Sequence, residues 1–233
     1  MSLLPVNVHV IAACGEAYNE SIGDGWDGAM GCLRSTRQIE YIKHARRFSL
    51  IKKVDKLLLE KSLKLLSEKC SDNENNRFNI PLSHQTVCDT DFLAYLDDLL
   101  NKYSLSANSL IIEFREEDVV HHLNALKPVM ENLNDMGCML SVAGVGHSSM
   151  QFSYLQNLPV DLIRVDQSII EHLEKDNFTQ VLVKSIIEVG HILYKNVGAE
   201  GVDSISSANL LINMGADCIQ GNGVKQLMDT SNH

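Results

Sequence analysis

The sequence lacks the features that direct a chain into or across a membrane. No apolar stretch approaches the roughly 20 residues that a membrane-spanning helix requires, and no basic segment precedes the apolar core of a signal peptide. The six cysteines are scattered, without a CxxC pair or a histidine and cysteine cluster at zinc spacing. We therefore expect a cytoplasmic domain with reduced thiols and no bound metal.

Basic residues are in the minority. The chain has 20 Lys and Arg against 30 Asp and Glu, a net charge of -10. Broad electrostatic binding of RNA or DNA depends on neutralising phosphates and is therefore disfavoured. One local basic patch is a candidate for nucleic-acid contact, although a solvated helical face explains it more simply. It consists of Lys43, Arg46, Arg47, Lys52 and Lys53.

Apolar strands alternate with amphipathic helices along the whole chain, which is typical of a parallel sheet with crossover helices. About eight strands, roughly 30 residues apart and without a composition break, predict one α/β barrel over residues 1–233. The abrupt ends of the chain indicate a domain cut from a longer, multidomain protein. The predicted strands are Val6–Cys14, Gly28–Leu33, FNIPLS around Pro81, Leu110–Phe114, Met139–Val142, Leu162–Asp166, Lys195–Glu200 and Asp217–Gly221.

Helices are predicted between these strands from apolar positions spaced three or four apart. They cover Ile51–Glu68, a segment capped by Asp89 or Thr90 and ending at Tyr103, a stripe from Leu123 to Met136, Phe178–Tyr194 and Ser204–Met214. Pro128 predicts a kink or a late start in the third of these helices. His121 and His122 are adjacent, point about 100° apart on a helix and cannot share one metal, so we interpret them as surface histidines.

Polar residues end several predicted strands, and chemistry collects at the carboxyl ends of barrel strands. A single acid after a strand is usually a helix cap, but several on one face indicate a site. These residues are Glu113, Arg164, Asp166, Glu200 and Gln220. The stretch VAGVGHSSM, Val142 to Met150, follows another strand and has the glycines of a phosphate loop, yet it contains no acid, lysine or arginine.

Four segments in a specific order carry a family resemblance: IIEFREED, LQNLPVDLIRVDQSII, GAEGVDS and MGADCIQG. They resemble the EAL family of cyclic-di-GMP phosphodiesterases, and the resemblance covers essentially the whole chain. It implies a modified TIM (β/α)8 barrel that hydrolyses cyclic-di-GMP with two Mg²⁺ or Mn²⁺ ions.

The chain departs from the family pattern at four metal-site positions. The glutamate of the EAL motif falls on Gly28, and the strand asparagine falls on Pro81. The paired aspartates of the family's DDFG loop fall on Ala143 and Gly144, which makes VAGVGHSSM the counterpart of that loop. None of these four residues offers a side-chain oxygen.

Other family positions are retained. The resemblance makes Glu113 a direct metal ligand, Glu116 the acid that supports a loop, and Glu200 the counterpart of the proposed general base. Asp166 and Gln220 are also kept, whereas the family's catalytic lysine is replaced by Arg164. Two-metal hydrolysis needs hard oxygen ligands that hold the ions about 3.5 to 4 Å apart. We therefore expect no enzymatic activity.

Arg164 invites two explanations. Retained acids repel one another in a metal-free pocket, and arginine is always protonated, with a planar fork that can bind two carboxylates. We hypothesise that Arg164 does structurally what metal ions do electrostatically in active relatives. Drift at a site that is no longer selected is the alternative.

A narrower resemblance lies in IIEFREEDVVHHLNALKPVMENLNDMGCMLSVAGVG and in the GAMGCLRSTRQIEYI connection. These segments resemble the EAL-like domain of Csr-system regulators, the CsrD (MshH) group. That resemblance implies an inner-membrane-anchored parent protein and a role in RNase E-dependent decay of small RNAs. It also implies binding of the glucose-specific phosphotransferase component.

Several functions stay open. A regulatory, protein-binding domain is favoured by the missing ligands, and a residual phosphodiesterase only by Glu113, Glu200 and Gln220. RNA binding is opposed by the acidic charge. Cyclic-di-GMP binding without hydrolysis is disfavoured, because the family's arginine position is Cys32 and Arg34 lies ~6.6 Å further along the strand. A homodimer, as many EAL domains form, is a further expectation.

Overall fold

The computed structural model describes residues 9–10, 50–69, 78–147, 152–221 and 223. These residues belong to two compact units. The first unit contains residues 9–10, 115–121, 140–147, 152–221 and 223, and the second contains residues 50–69, 78–114 and 122–139.

Strands and helices alternate along the described chain, as the sequence predicts. In chain order they are β1 (His9–Val10), α1 (Ile51–Lys69), β2 (Phe78–Pro81), α2 (His84–Val87), α3 (Phe92–Tyr103), β3 (Leu110–Arg115), α4 (Glu116–Asp135), β4 (Met139–Val145), β5 (Leu162–Val165), α5 (Gln167–Ile170), α6 (Asn177–Ile192), β6 (Asn196–Ala199), α7 (Ile205–Met214) and β7 (Cys218–Ile219). Two short 3-10 helices, Ala107–Ser109 and Phe152–Asn157, complete the set.

Parallel strands form the sheet of each unit. In the first unit the strands are neighbours in the order β1, β7, β6, β5, β4, and each pairing is parallel. In the second unit β2 pairs in parallel with β3. All four residues of β5 are buried, which is expected of a strand covered on both faces.

β4 is longer than the sequence predicts. The apolar run MLSV predicts a strand that ends at Val142, but the strand continues to Val145 and so includes Ala143 and Gly144. The register with β5 shifts between Ala143 and Val145, which marks a bulge at Gly144, where φ is 84°. A glycine adopts this backbone conformation without steric cost.

One detail of the predicted helices is wrong, and another is confirmed. The N-cap position of α3 is occupied by Asp91, and not by Asp89 or Thr90. The carboxylate of Asp89 instead accepts a hydrogen bond of 3.0 Å from Nζ of Lys52. In α4 the break lies at His122, whose φ of -125° is not helical, while Pro128 lies inside the helix. The kink that Pro128 predicts is therefore present in this helix, six residues before the proline.

Other predictions lie outside the described residues. These are the strand Gly28–Leu33, the positions of Cys32 and Arg34, and three members of the basic patch: Lys43, Arg46 and Arg47. Within the described part of the chain, no helix is both long and apolar enough to cross a membrane.

Candidate functional site

Arg164 lies at the centre of the candidate site in the first unit. The residue is 1% exposed, and its side chain is the largest fully buried one among the described residues. The Nη2 group donates a hydrogen bond to Oε1 of Gln220 and lies 3.2 Å from Oε2 of Glu200. Glu200 and Gln220 directly follow β6 and β7. Three of the residues predicted from strand ends are therefore brought together.

Small residues surround Arg164 within the sheet. Ala143 of β4 and Gly198 of β6 are its partners in register, and Cys218 of β7 is the partner of Gly198. Partners in register project from the same face of the sheet, so this row leaves space for a long side chain. Burial raises the pKa of the Cys218 thiol to about 12, although the positive charge of Arg164 opposes that rise.

Asp166 directly follows β5 and serves as the N-cap of α5. Its Oδ1 accepts hydrogen bonds from the backbone N–H and the hydroxyl of Ser168, at 2.9 and 2.5 Å, and so caps α5. His147 approaches the same oxygen at 3.9 Å. A Cβ atom built on Gly144 would lie 3.4 Å from the other oxygen of Asp166. An acid at position 144 would therefore face a carboxylate.

Glu113 and Pro81 lie in the second unit, where Pro81 is the register partner of Glu113. The side-chain amide of Asn79 donates a hydrogen bond of 2.6 Å to Oε2 of Glu113. Asn79 precedes Pro81 by two residues and therefore lies on the same face of β2. Asn79 was not predicted as part of the site, although the period of two residues along the strand could have indicated it.

Glu116 is buried at the start of α4 in the first unit. The hydroxyl of Tyr154 donates a hydrogen bond of 2.8 Å to its Oε1. The pKa of Tyr154 is raised well above its usual range, first by burial and then by the negative charge of Glu116 and the hydrogen bond to it. Tyr154 was not predicted as part of the site, because nothing in the sequence pairs it with Glu116.

A buried carboxylate in the second unit holds the segment that follows Pro81. Asp55 of α1 is 5% exposed, and its Oδ2 accepts hydrogen bonds from the backbone N–H and hydroxyl of Ser83 and from the hydroxyl of Thr86. Asp55 therefore anchors the start of α2. Helical periodicity places Asp55 beside apolar residues but gives no partner for it.

His121 and His122 are exposed, as the sequence predicts. The ring of His122 stacks on the ring of His84 in the second unit, with the ring centres 3.7 Å apart. This ring contact joins α4 to α2 and has no sequence signal, because the two histidines are far apart in the chain.

The parallel strands, the helices between them and the acids at the strand ends are the features predicted for an EAL domain. A model of the EAL domain matches residues 33–226. The chain belongs to the EAL domain family. The fold is accordingly α/β, a modified TIM barrel of the EAL type, which solved EAL structures share. The match begins after Gly28, so the assignment of Gly28 to the motif that names the family stays a prediction.

Two curated relatives of the chain come from Escherichia coli (strain K12). The chain is 26% identical over 195 residues to the cyclic di-GMP phosphodiesterase PdeF and 28% identical over 195 residues to the RNase E specificity factor CsrD. Each alignment covers 82% of this chain, but it spans only 26% of PdeF and 30% of CsrD.

The FimX EAL domain of Pseudomonas aeruginosa bound to c-di-GMP is a similar solved structure. It is 26% identical, with a TM-score of 0.72, and the match covers 79% of this chain and 74% of that chain. A second structure of the FimX EAL domain has a TM-score of 0.74, also at 26% identity, over 81% and 75% of the two chains.

The residues at the predicted ligand positions do not fit the two metal ions of EAL phosphodiesterases. Pro81, Ala143 and Gly144 carry no side-chain oxygen. Glu200 is beside a fixed guanidinium, and Glu113 accepts a hydrogen bond from Asn79. Divalent cations of this kind need several hard oxygen ligands at fixed positions.

Proposed function

We propose that this EAL-like domain is catalytically inactive and acts as a regulatory module that binds a partner protein. The observation that carries the proposal is the state of Glu200, the counterpart of the family's proposed general base. Its Oε2 lies 3.2 Å from Nη2 of the buried Arg164. A carboxylate that neutralises a buried guanidinium is a poor proton acceptor, because protonating it would remove a counter-charge from the guanidinium.

The end of β4 supports the same proposal. Ala143 and Gly144 supply no ligand at the place of the paired aspartates, and the bulge at Gly144 requires a positive φ. An acid there would be strained and would face Asp166. Restoring a ligand at position 144 therefore requires a change of backbone as well as of side chain.

The test is incubation of the purified domain with cyclic-di-GMP and Mn²⁺, followed by separation of the nucleotide products. We expect turnover indistinguishable from a blank, while PdeF in the same buffer provides the positive control. Turnover that exceeds the blank and is lost in a Glu113→Gln variant would overturn the proposal.

The output that we propose is control of small-RNA decay in the Csr system or a related signalling output. The similarity to CsrD, an RNase E specificity factor, supports this choice over a metabolic role. The partner would be the glucose-specific component of the phosphotransferase system or a protein of the RNase E pathway, with the domain on the cytoplasmic side of an inner-membrane-anchored protein. Titration calorimetry with the purified phosphotransferase component tests the first partner, and an absence of heat beyond dilution counts against it.

Binding of cyclic-di-GMP without hydrolysis is the second candidate. The observation that favours it is the similarity to the FimX EAL domain, whose structure is a complex with c-di-GMP. In the present chain the guanidinium of Arg164 is already paired with Glu200. Equilibrium dialysis with labelled cyclic-di-GMP separates the two candidates, since a receptor retains the nucleotide in the absence of divalent cations.

RNA is a third possible ligand, and its test is different. Lys52, one described member of the basic patch, is paired with Asp89, whereas Lys53 is exposed. Binding that rests on phosphates weakens steeply with salt. A gel shift with structured RNA at increasing salt therefore tests the patch, and unchanged mobility at low salt removes RNA from consideration.

A further inference from the structure

Two histidines in the second unit form a cluster that has no part in the proposed function. The ring of His122, on α4, stacks on the ring of His84, on α2, with the ring centres 3.7 Å apart and an angle of 27° between the ring planes. Nitrogen atoms of the two rings lie within 4.8 Å of each other. We infer that His84 and His122 bind one transition-metal ion of the Zn²⁺ type, and that this ion joins α2 to α4.

The donor atoms decide which ion the pair takes. Neutral imidazole nitrogen suits Zn²⁺, Ni²⁺ and Cu²⁺, whereas Mg²⁺ and Mn²⁺ prefer carboxylate, carbonyl and water oxygens. Two neutral ligands leave the ion with its full positive charge, which the net charge of -10 on the chain favours. Zn²⁺ is usually four-coordinate, so two positions are left for water or other donors. The expectation of no bound metal rested on local spacing, which does not bring together histidines from two helices.

A second contact holds the two helices beside the histidine pair. His84 is the first residue of α2, and Cys88 directly follows the last residue of that helix. The thiol of Cys88 donates a hydrogen bond of 3.8 Å to the backbone carbonyl of Ala125 on α4. This contact lies about one helical turn from the ring pair on each helix. Ligands that are already held close together lose less conformational freedom when an ion binds.

Binding requires one small movement. Each Zn–N bond is about 2.0 to 2.1 Å long, so two nitrogen ligands of a tetrahedral Zn²⁺ lie about 3.3 Å apart. Stacked rings direct their nitrogen lone pairs side by side, and one ring must therefore turn until both nitrogens face the ion. The ring of His122 can turn because this residue is exposed, whereas His84 is half-buried. The last torsion of a histidine side chain is broad, which makes the turn inexpensive.

The experiment measures the thermal midpoint, Tm, of the whole 233-residue chain in EDTA, in Zn²⁺ and in Mg²⁺. An ion that binds only the folded chain raises Tm, by roughly 5 to 10 °C when its free concentration is about 100 times Kd. We expect this rise in Zn²⁺ and none in Mg²⁺. An unchanged Tm in Zn²⁺, or an equal rise in Mg²⁺, overturns the inference.

His84→Phe and His122→Phe locate the ion, because each variant keeps an aromatic ring for the stack but removes the nitrogen ligands. We expect Tm in EDTA to stay within a few degrees of the wild type. The affinity for Zn²⁺, measured by titration calorimetry, should fall at least ~10-fold in each variant. His121→Asn is the matched control, because His121 is exposed and adjacent to His122 in the sequence, and it should keep the wild-type response. A Zn²⁺ response that survives in either Phe variant, or is lost in the control, contradicts the inference.

Nuclear magnetic resonance of the wild type decides the result if a Phe variant does not fold. Zn²⁺ shifts the ring nitrogen signals of the histidines that bind it, and the chain has nine histidines. We expect His84 and His122 to shift, and shifts confined to other histidines would exclude this site. None of these measurements depends on turnover of cyclic-di-GMP. An active wild type would therefore overturn the proposed function and leave the inference about the histidine pair intact.

Discussion

Ala143 is the direct register partner of Arg164 in the parallel pairing of β4 and β5. The position predicted for an acidic ligand in active relatives therefore carries a small residue in register with a buried arginine. A small residue at position 143 leaves space in this row for the long side chain of Arg164.

A carboxylate placed at position 143 should pair with Arg164 and not recruit a metal. We expect Ala143→Asp to fold with a Tm within a few degrees of the wild type and to show no Mn²⁺ response. Ala199→Asp is the matched control, because Ala199 is also buried but pairs with Val165. An unpaired buried carboxylate there should cost about 3 kcal/mol of unfolding free energy or more. Chemical denaturation of both variants checks the difference, and equal losses would contradict it.

Asp55 should be a strong determinant of stability in the second unit. Its carboxylate accepts hydrogen bonds from the backbone N–H and hydroxyl of Ser83 and from Thr86, and hydrogen bonds to a buried charge are costly to break. We expect Asp55→Ala to lower the free energy of unfolding by about 3 kcal/mol. Urea denaturation measures this loss. Asp98→Ala, at an exposed position on α3, should change the free energy by less than about 0.5 kcal/mol.

Tyr154 should make the free energy of unfolding depend on pH in the alkaline range. Its folded-state pKa is raised above the unfolded value of about 10, so its contribution is complete below pH ~10 and is lost as the pH rises further. Tyr154→Phe removes the hydrogen bond to Glu116 and should cost about 1 to 2 kcal/mol at neutral pH. The difference in unfolding free energy between wild type and variant should shrink above pH ~10. Tyr194→Phe, at a 98% exposed side chain, should show neither effect.

Two described thiols should be protected from alkylation. Burial raises the pKa of Cys138 to about 11 and that of Cys218 to about 12, and only the thiolate reacts. At mildly alkaline pH we expect iodoacetamide to label both at least ~100-fold more slowly than in the urea-unfolded chain. Peptide mass spectrometry measures the rates. Cys88, which is partly exposed, should react faster than either, and rapid native labelling of Cys218 would contradict its burial in the row with Arg164.

The sequence by itself determined the family, the fold class and most of the strands and helices. Alternation of apolar strands with amphipathic helices predicts a parallel α/β barrel, because each strand and helix must bury one continuous apolar surface. The motif order around Glu113, Arg164, Glu200 and Gln220 indicates an EAL domain before any geometry is known. The predicted loss of metal ligands at Pro81, Ala143 and Gly144 also comes from the sequence alone.

Only the tertiary structure decided which polar groups meet. The helical period of apolar residues indicates which face of a helix Asp55 or Glu116 occupies, but it predicts no partner for either. Asp55 binds Ser83 and Glu116 binds Tyr154, and both contacts join residues that are distant in the chain. The bulge at Gly144 depends on the register of β4 against β5 and not on local preference. The pairing of Arg164 with Glu200 likewise requires two strands to lie side by side, because a hydrogen bond depends on distances that a linear pattern does not contain.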